Sequence, residues 1–204
     1  MNLLPRHPNY LLLQAFLLAV VAGCASVPKY QPPEDGFVLR GKLGVVQQDE
    51  SFSARFYWRQ SGPNFVIDLW GPLGQGRVGL AGNDRLLELQ DGDGTLISQG
   101  PPDIVMQQHL GWSLPLSVLP EWVQGRPAAG LPVDDPVYDA DGRLASFGQL
   151  SWRVELERYQ RVDPVREAAT LAPADADSES FLPHRVTATR DAYRVRLAIS
   201  AWQI

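Results

Sequence analysis

The sequence predicts a mainly β protein in which one long antiparallel sheet is accompanied by a few short helices. Apolar and polar residues alternate with a period of two in about ten segments, which is typical of strands with one buried face. The connections between most of these segments are short and rich in Gly, Asp and Asn, which favours hairpins between neighbouring antiparallel strands. A single sheet of this size must curl, and its apolar face needs a cover.

The composition limits the classes of protein to which this chain can belong. It has 204 residues, a formal net charge of −5 and 45% hydrophobic residues, which indicates one globular domain with a real core. The mild acidity and the lack of a Lys/Arg run argue against a nucleic-acid surface. Cys24 is the only cysteine, so neither a disulfide framework nor a cysteine-based zinc site is possible.

The N-terminal residues have the pattern of an export signal. Arg6 precedes an apolar run at 10–21, which is too short for a membrane-spanning helix and fits the apolar region of a signal peptide. The run ends in Val-Ala-Gly followed by Cys24, which is similar to the cleavage box of bacterial lipoproteins. We expect residues 1–23 to be removed and Cys24 to carry lipid. The alternative is an ordinary signal peptide with a coincidental cysteine.

Residues 24–35 are predicted to form a tether. This stretch contains Pro28, Pro32 and Pro33 and shows no periodic apolar pattern. Proline-rich segments favour an extended conformation that rises about 3.1 Å per residue, so the stretch reaches roughly 30 Å. The folded domain is predicted to occupy 36–204.

The strand segments fall into two groups separated by a helical region. Within each segment the apolar residues share one parity and the polar residues take the other. An Asp-Gly pair at 141–142 adds a hairpin signal between Val137 and Leu144, and a mobile loop rich in Ala, Asp, Pro and Ser is predicted at 163–180. The segments are 37–45, 51–59, 65–70, 77–80, 85–90, 95–98, 150–156, 183–189 and 193–200.

Two short helices are predicted between the strand groups. The first spans 102–110, with Asp103 near its positive end. The second spans 115–123, where Leu116, Leu119 and Trp122 lie at helical spacing, and Pro120 should kink it or restart it. Both should face the sheet.

These helices should be too small to cover the apolar face of a long sheet, which predicts an apolar concavity. The alternative is that the sheet closes on itself and the same side chains simply pack against each other. The candidate lining residues are Phe37, Leu39, Leu43, Phe56, Trp58, Phe65, Ile67, Trp112, Leu116, Leu119, Trp122 and Trp152.

One hairpin has an unusual tip. Gly71, Pro72 and Gly74 predict a tight turn that leaves Leu73 at its apex. Turn tips usually carry polar residues or glycine, because these residues are well solvated and suit the backbone conformation of a turn. An apolar tip, with Trp70 beside it, favours contact with something apolar outside the domain. The alternative is that Leu73 folds back onto the domain.

The sequence gives little support for catalysis. Its three histidines, His7, His109 and His184, are far apart, so metal-ligand spacing is absent. No serine elbow occurs, and no pair of acids stands out. We therefore expect no catalytic residue, no metal and no cofactor.

Besides the cleavage box and the tether, the chain contains four further motifs, Phe37-x-Leu39-x-Gly41-Lys42-Leu43-Gly44-Val45, Ser53-Ala54-Arg55-Phe56-x-Trp58, Pro72-Leu73-Gly74 and Gly111-Trp112-x-Leu114-Pro115. Together these motifs resemble the LolB family of outer-membrane lipoprotein receptors, over nearly all of the chain after Cys24. The resemblance implies an open antiparallel half-barrel with helices on its concave side around an apolar cavity.

The family also implies a function. A member accepts lipoproteins from the periplasmic carrier LolA, shelters their acyl chains and inserts them into the outer membrane. The chain would then be a lipid-anchored monomer that faces the periplasm. The match to Pro-Leu-Gly gives Leu73, with Trp70, the role of contacting the bilayer. A tethered scaffold that binds protein partners without lipid cargo is the alternative, and a cell-envelope hydrolase is a third hypothesis.

Overall fold

The computed structural model describes residues 36–48, 50–71, 74, 76–163 and 180–204. The predicted signal peptide (1–23), the predicted tether (24–35, including Cys24) and Leu73 lie outside the described residues, as does all of the predicted loop except its two ends. No helix in the described part of the chain is long and apolar enough to cross a membrane.

Within the described residues the chain forms strands in two groups, with two helices between them. The helices are α1 (Pro102–Leu110) and α2 (Leu119–Val123). The strands are β1 (Gly36–Gln47), β2 (Glu50–Ser61), β3 (Asn64–Trp70), β4 (Val78–Gly82), β5 (Leu87–Asp91), β6 (Leu96–Gly100), β7 (Asp134–Tyr138), β8 (Leu144–Gln149), β9 (Trp152–Val162), β10 (Ser180–Arg190) and β11 (Tyr193–Gln203).

All of these strands belong to one antiparallel sheet. The order across the sheet is β6-β5-β4-β3-β2-β1-β11-β10-β9-β8-β7, so the first and last strands pair in the middle and β6 and β7 form the two edges. This confirms the predicted mainly β, open antiparallel fold; the sheet has eleven strands rather than about ten. Because neighbours are antiparallel, β1, β3, β5, β8 and β10 all finish at the same end of the sheet, which we call the rim.

The alternation of apolar residues gives the sheet one buried face. In β2, for example, Ala54, Phe56 and Trp58 are buried, whereas Arg55 is exposed. The side chains on this face form one hydrophobic cluster to which strands as far apart as β5 and β8 contribute. A flat sheet would separate these two strands by roughly 40 Å. The sheet must therefore curl around its buried face.

Gly41 allows β1 and β11 to approach closely at the centre of this sheet. A Cβ atom at position 41 would lie 2.2 Å from the carbonyl oxygen of Ala198 and 2.9 Å from Cζ of Phe56. No side chain fits there, and the pairing of β1 with β11 shifts register between Arg40 and Gly41. The glycine of this motif thus has a packing role in the curled sheet.

The segment between β6 and β7, residues 101–133, is the covering segment. Because it leaves one edge of the sheet and must reach the other, it crosses the whole buried face. Its helices contribute buried residues such as Met106 and Trp122. The non-helical part at 111–118 adds Trp112, Leu114 and Leu116, all buried. The expectation that two short helices would cover the sheet poorly is therefore wrong, because the extended part between them also covers it.

Two local predictions are also wrong. The second helix begins at Leu119 rather than at 115, and residues 116–118 form turns. Pro120 lies in its first turn, where the missing amide hydrogen costs nothing. Leu150 was expected to be buried in phase with Trp152, but it lies in the two-residue turn between β8 and β9 and is exposed.

Candidate functional site

A small apolar cavity lies between the sheet and the covering segment. Its volume is about 30 Å³, which is similar to the share of one water molecule in the liquid. Every residue that lines it is apolar, so a bound water would find no polar partner. The lining residues are Leu43, Phe56, Trp58, Ile67, Leu69, Leu80, Met106, Trp112, Leu114, Leu116, Leu119 and Leu197.

The structure brings together seven of the twelve residues proposed from the sequence as cavity lining. These are Leu43, Phe56, Trp58, Ile67, Trp112, Leu116 and Leu119. The other five are buried in the same hydrophobic cluster without lining the cavity; they are Phe37, Leu39, Phe65, Trp122 and Trp152. They extend the apolar surface between the sheet and the covering segment.

Five further lining residues were missed by the sequence reasoning. Leu69 has the same parity as Phe65 and Ile67, and Leu197 alternates with charged residues in β11, so strand periodicity could have found both. Met106 lies in α1, and Leu114 lies in the non-helical part of the covering segment, where no regular period marks the buried side. The missed residues are Leu69, Leu80, Met106, Leu114 and Leu197.

The part of the covering segment at α2 is fixed by a buried hydrogen-bond network. Nε1 of Trp122 donates to Oε1 of Gln149 at 2.9 Å, and the amide of Ala128 donates to the same oxygen at 2.9 Å. Nε2 of Gln149 donates to the carbonyl oxygen of Ala128 at 3.0 Å. Gln149 is fully buried. Buried polar groups that find all their partners make a structure specific and rigid, so this part is an anchor.

The part of the covering segment at Trp112 and Ser113, between the two helices, is also held at the rim, by a different kind of contact. The ring of Trp112 lies 5.9 Å from the ring of Phe52, and Phe52 remains 43% exposed. The hydroxyl of Tyr193 accepts a hydrogen bond from the amide of Ser113 at 3.2 Å and donates one to its carbonyl oxygen at 3.0 Å. Phe52 is near the start of β2 and Tyr193 begins β11, so both lie at the rim.

Burial controls the protonation of Tyr193. It raises the pKa of the hydroxyl to about 12, and the hydrogen bond from the Ser113 amide opposes this rise. The phenol therefore stays neutral far above physiological pH and remains a donor to Ser113. The same residue packs edge-to-face on Trp152, with 5.6 Å between the ring centres.

The strand β3 also finishes at the rim, where its connection to β4 begins. The amide of Gly74 donates to the carbonyl oxygen of Gly71 at 3.2 Å, which is the hydrogen bond of a tight turn. Nη2 of Arg77 donates to Oδ1 of Asp68 at 2.8 Å, which links β3 to the residue before β4, next to the connection. Leu73 itself lies outside the described residues.

Trp70 lies on the outer face of the sheet, half-buried at the end of β3. It lines an open groove together with Arg55 and Arg77. Trp70 is thus separate from the internal cavity, as its parity in β3 requires, because Phe65, Ile67 and Leu69 face inward.

The described residues contain no group of three His, Cys, Asp or Glu side chains arranged to hold a metal ion. His109 is exposed in the last turn of α1, and His184 is half-buried in β10.

Comparison with known proteins gives consistent matches. The family model described as "Outer membrane lipoprotein LolB" matches residues 35–202. A protein named outer-membrane lipoprotein LolB from Halorhodospira halophila is 32% identical over 164 residues, which cover 80% of this chain and 73% of that protein. The protein of the same name from Cellvibrio japonicus is 30% identical over 206 residues, covering 95% of this chain and 96% of its own length.

Solved structures also include a similar chain. A LolA superfamily protein from Nitrosomonas europaea aligns with a TM-score of 0.48 and 12% sequence identity, and the alignment covers 85% of this chain and 88% of that chain.

Proposed function

Because this chain belongs to the LolB family of outer-membrane lipoproteins, we propose that it is a receptor that accepts lipoproteins from the carrier LolA. It shelters their acyl chains between its sheet and its covering segment and then inserts them into the outer membrane. The observation that supports this proposal is the continuous apolar surface between the sheet and the covering segment, which offers no hydrogen-bond partners to a polar cargo.

The proposed location and domain organisation follow from the same family. Residues 1–23 are a cleaved signal peptide, Cys24 carries lipid, and 24–35 tether a single domain at 36–204. The domain faces the periplasm from the outer membrane and acts as a monomer. Its partners are LolA, the acyl chains of cargo lipoproteins and the bilayer, and its activity is transfer rather than catalysis.

The free energy of burying acyl chains explains why a receptor is needed. Each methylene taken out of water is worth about 0.8 kcal/mol, so one long chain is worth on the order of 10 kcal/mol. A cavity of about 30 Å³ has no room for such a chain. Binding therefore requires the covering segment to move away from the sheet. The part at Trp112 and Ser113 should move, because the part at α2 is anchored by Gln149.

Binding of a fluorescent fatty acid to the domain that begins after Cys24 tests the shelter. We expect saturable binding of the fatty acid, and we expect cargo lipoprotein to displace it. The reason is that the apolar surface of the sheet can contact hydrocarbon once the covering segment has moved away. The alternative function, a tethered scaffold without lipid cargo, predicts no saturable binding.

The variant Leu73→Glu tests the last step of transfer. It should keep cargo bound but block its insertion into liposomes, because a carboxylate at the hairpin tip cannot enter the bilayer surface. Gln75→Glu is the matched control, since it adds the same charge two residues away and should leave insertion intact. Normal insertion by the Leu73→Glu variant would remove this residue from the mechanism.

A further inference from the structure

Leu150 is exposed in a backbone conformation that leucine rarely adopts. It forms the turn between β8 and β9 with Ser151, and φ is +52° at Leu150 and +62° at Ser151. The flanking residues Gln149 and Trp152 pair with each other, so this is a two-residue hairpin turn. Such turns favour Asn, Asp and Gly because both central residues need positive φ.

Leucine is favoured at this position neither by the backbone conformation nor by the exposure of its side chain to water. Positive φ brings Cβ of a residue too close to its own backbone carbonyl, which disfavours this conformation for most side chains. The Leu150 side chain is only partly covered, with 46% of it exposed. A disfavoured backbone conformation at a partly exposed leucine is the observation from which a contact outside the folded domain is inferred.

The position of Leu150 in the fold indicates what it contacts. The strand β8 finishes at the rim, as β3 does, so the turn with Leu150 lies at the same end of the sheet as the point where the chain leaves β3. Between the two hairpins are β2, β1, β11 and β10. The part of the covering segment at Trp112 and Ser113 contacts two of these strands at the rim, through Phe52 and Tyr193.

We propose that Leu150 is a second bilayer contact, which inserts into the membrane surface together with the Leu73 hairpin. The interior would then open between the two contacts and face the bilayer. Two contacts on opposite sides of this opening also fix the orientation of the domain, which a single contact would not do. This inference rests on the proposed function, because it gives that function's bilayer a second point of attachment.

The test uses the full lipidated chain, in which lipidation of Cys24 leaves no other thiol. Leu150→Cys is labelled with an environment-sensitive dye and reconstituted into vesicles of phosphatidylethanolamine and phosphatidylglycerol. We expect a blue shift of the dye emission. Leu86→Cys is the matched control, because Leu86 is similarly exposed, at 43%, but it lies in the β4–β5 connection at the opposite end of the sheet. Its dye should not shift.

A second variant pair measures the effect on transfer. Leu150→Asn should slow insertion of cargo into the same vesicles about fivefold, because a partly exposed leucine no longer transfers into hydrocarbon. The melting temperature of this variant should equal or exceed that of the parent chain, since Asn accepts positive φ. Leu86→Asn should insert cargo at the parental rate.

The outcomes separate this proposal from the function on which it rests. If the dye at position 150 does not shift with vesicles, or shifts only when LolA is added, Leu150 does not contact lipid and the proposal is overturned. In that case fatty-acid binding and the insertion defect of Leu73→Glu still decide the proposed function independently.

Discussion

The covering segment contains two buried tryptophans, one between its helices and one in α2, and the two are held differently. Trp122 is fully buried and donates to Gln149, which is itself completely buried. Trp112 lines the cavity and contacts the partly exposed Phe52, and no hydrogen bond of its indole is found among the described residues. The domain thus combines a rigid anchor with a part held mainly by ring packing and one tyrosine. This difference predicts which part opens for lipid.

Replacing each tryptophan by alanine tests the comparison most strongly. Trp122→Ala should lower the free energy of unfolding by about 5 kcal/mol and Trp112→Ala by about 3 kcal/mol, both within the range for such truncations. The first value is higher because Gln149 also loses a partner. Urea unfolding measures both values.

The rate at which a fatty acid enters should respond in the opposite order: it should change in Trp112→Ala, the less destabilised variant, and stay the same in Trp122→Ala. Stopped-flow mixing with a fluorescent fatty acid should show faster entry into Trp112→Ala, where the contact with Phe52 is lost, and unchanged entry into Trp122→Ala. Equal acceleration in the two variants would mean that the segment opens at both places, and the distinction between anchor and opening would be incorrect.

Sequence patterns could predict the sheet better than its cover. The parity of Phe56 and Trp58 in β2 marks them as inward-facing, because a strand has a fixed period of two. The covering segment has no such period at 111–118, so Leu114 could not be identified as lining. Its path across the whole face depends on β6 and β7 being opposite edges, which is a property of the complete topology.

The roles of Gln149 and Leu150 could not be predicted from the sequence either, because they too depend on how other parts of the chain are arranged. Gln149 gives no pattern, and its role depends on Trp122 and Ala128, which lie 27 and 21 positions away. Leu150 follows the parity of β9 and was therefore assigned to the strand, whereas the hairpin turn needs both central residues at positive φ. Functional residues are often those at which local rules fail.

The anchor can also be removed without deleting an aromatic ring. Gln149→Leu leaves the indole of Trp122 and both backbone groups of Ala128 without partners. Unsatisfied buried groups cost about 1–3 kcal/mol each, so we expect a loss of about 3 kcal/mol in the free energy of unfolding. Gln160→Leu, at an exposed position of β9, is the matched control and should change it little. A similar loss in both variants would show that the network has no special role.

The smallest expected effect concerns the tyrosine at the opening. Tyr193→Phe removes both hydrogen bonds to Ser113 and should cost about 1 kcal/mol. Tyr159→Phe is a close match, because Tyr159 also donates to a backbone carbonyl, that of Leu144 at 2.7 Å, and burial also raises its pKa to about 12. Its bond lies between strands of the sheet, so only Tyr193→Phe should speed the entry of a fatty acid.

The pH dependence of unfolding provides the second measurement for this pair. Each folded tyrosine has a pKa of about 12, above the value of about 10 in the unfolded chain. The stability that each contributes is complete below pH 10 and is lost as the pH rises through 12, because the unfolded chain releases its proton first. Either variant should therefore show a shallower loss of stability over this window. A shallower loss in both, combined with faster lipid entry in Tyr193→Phe alone, would locate the opening at Ser113; faster entry in both would place it elsewhere.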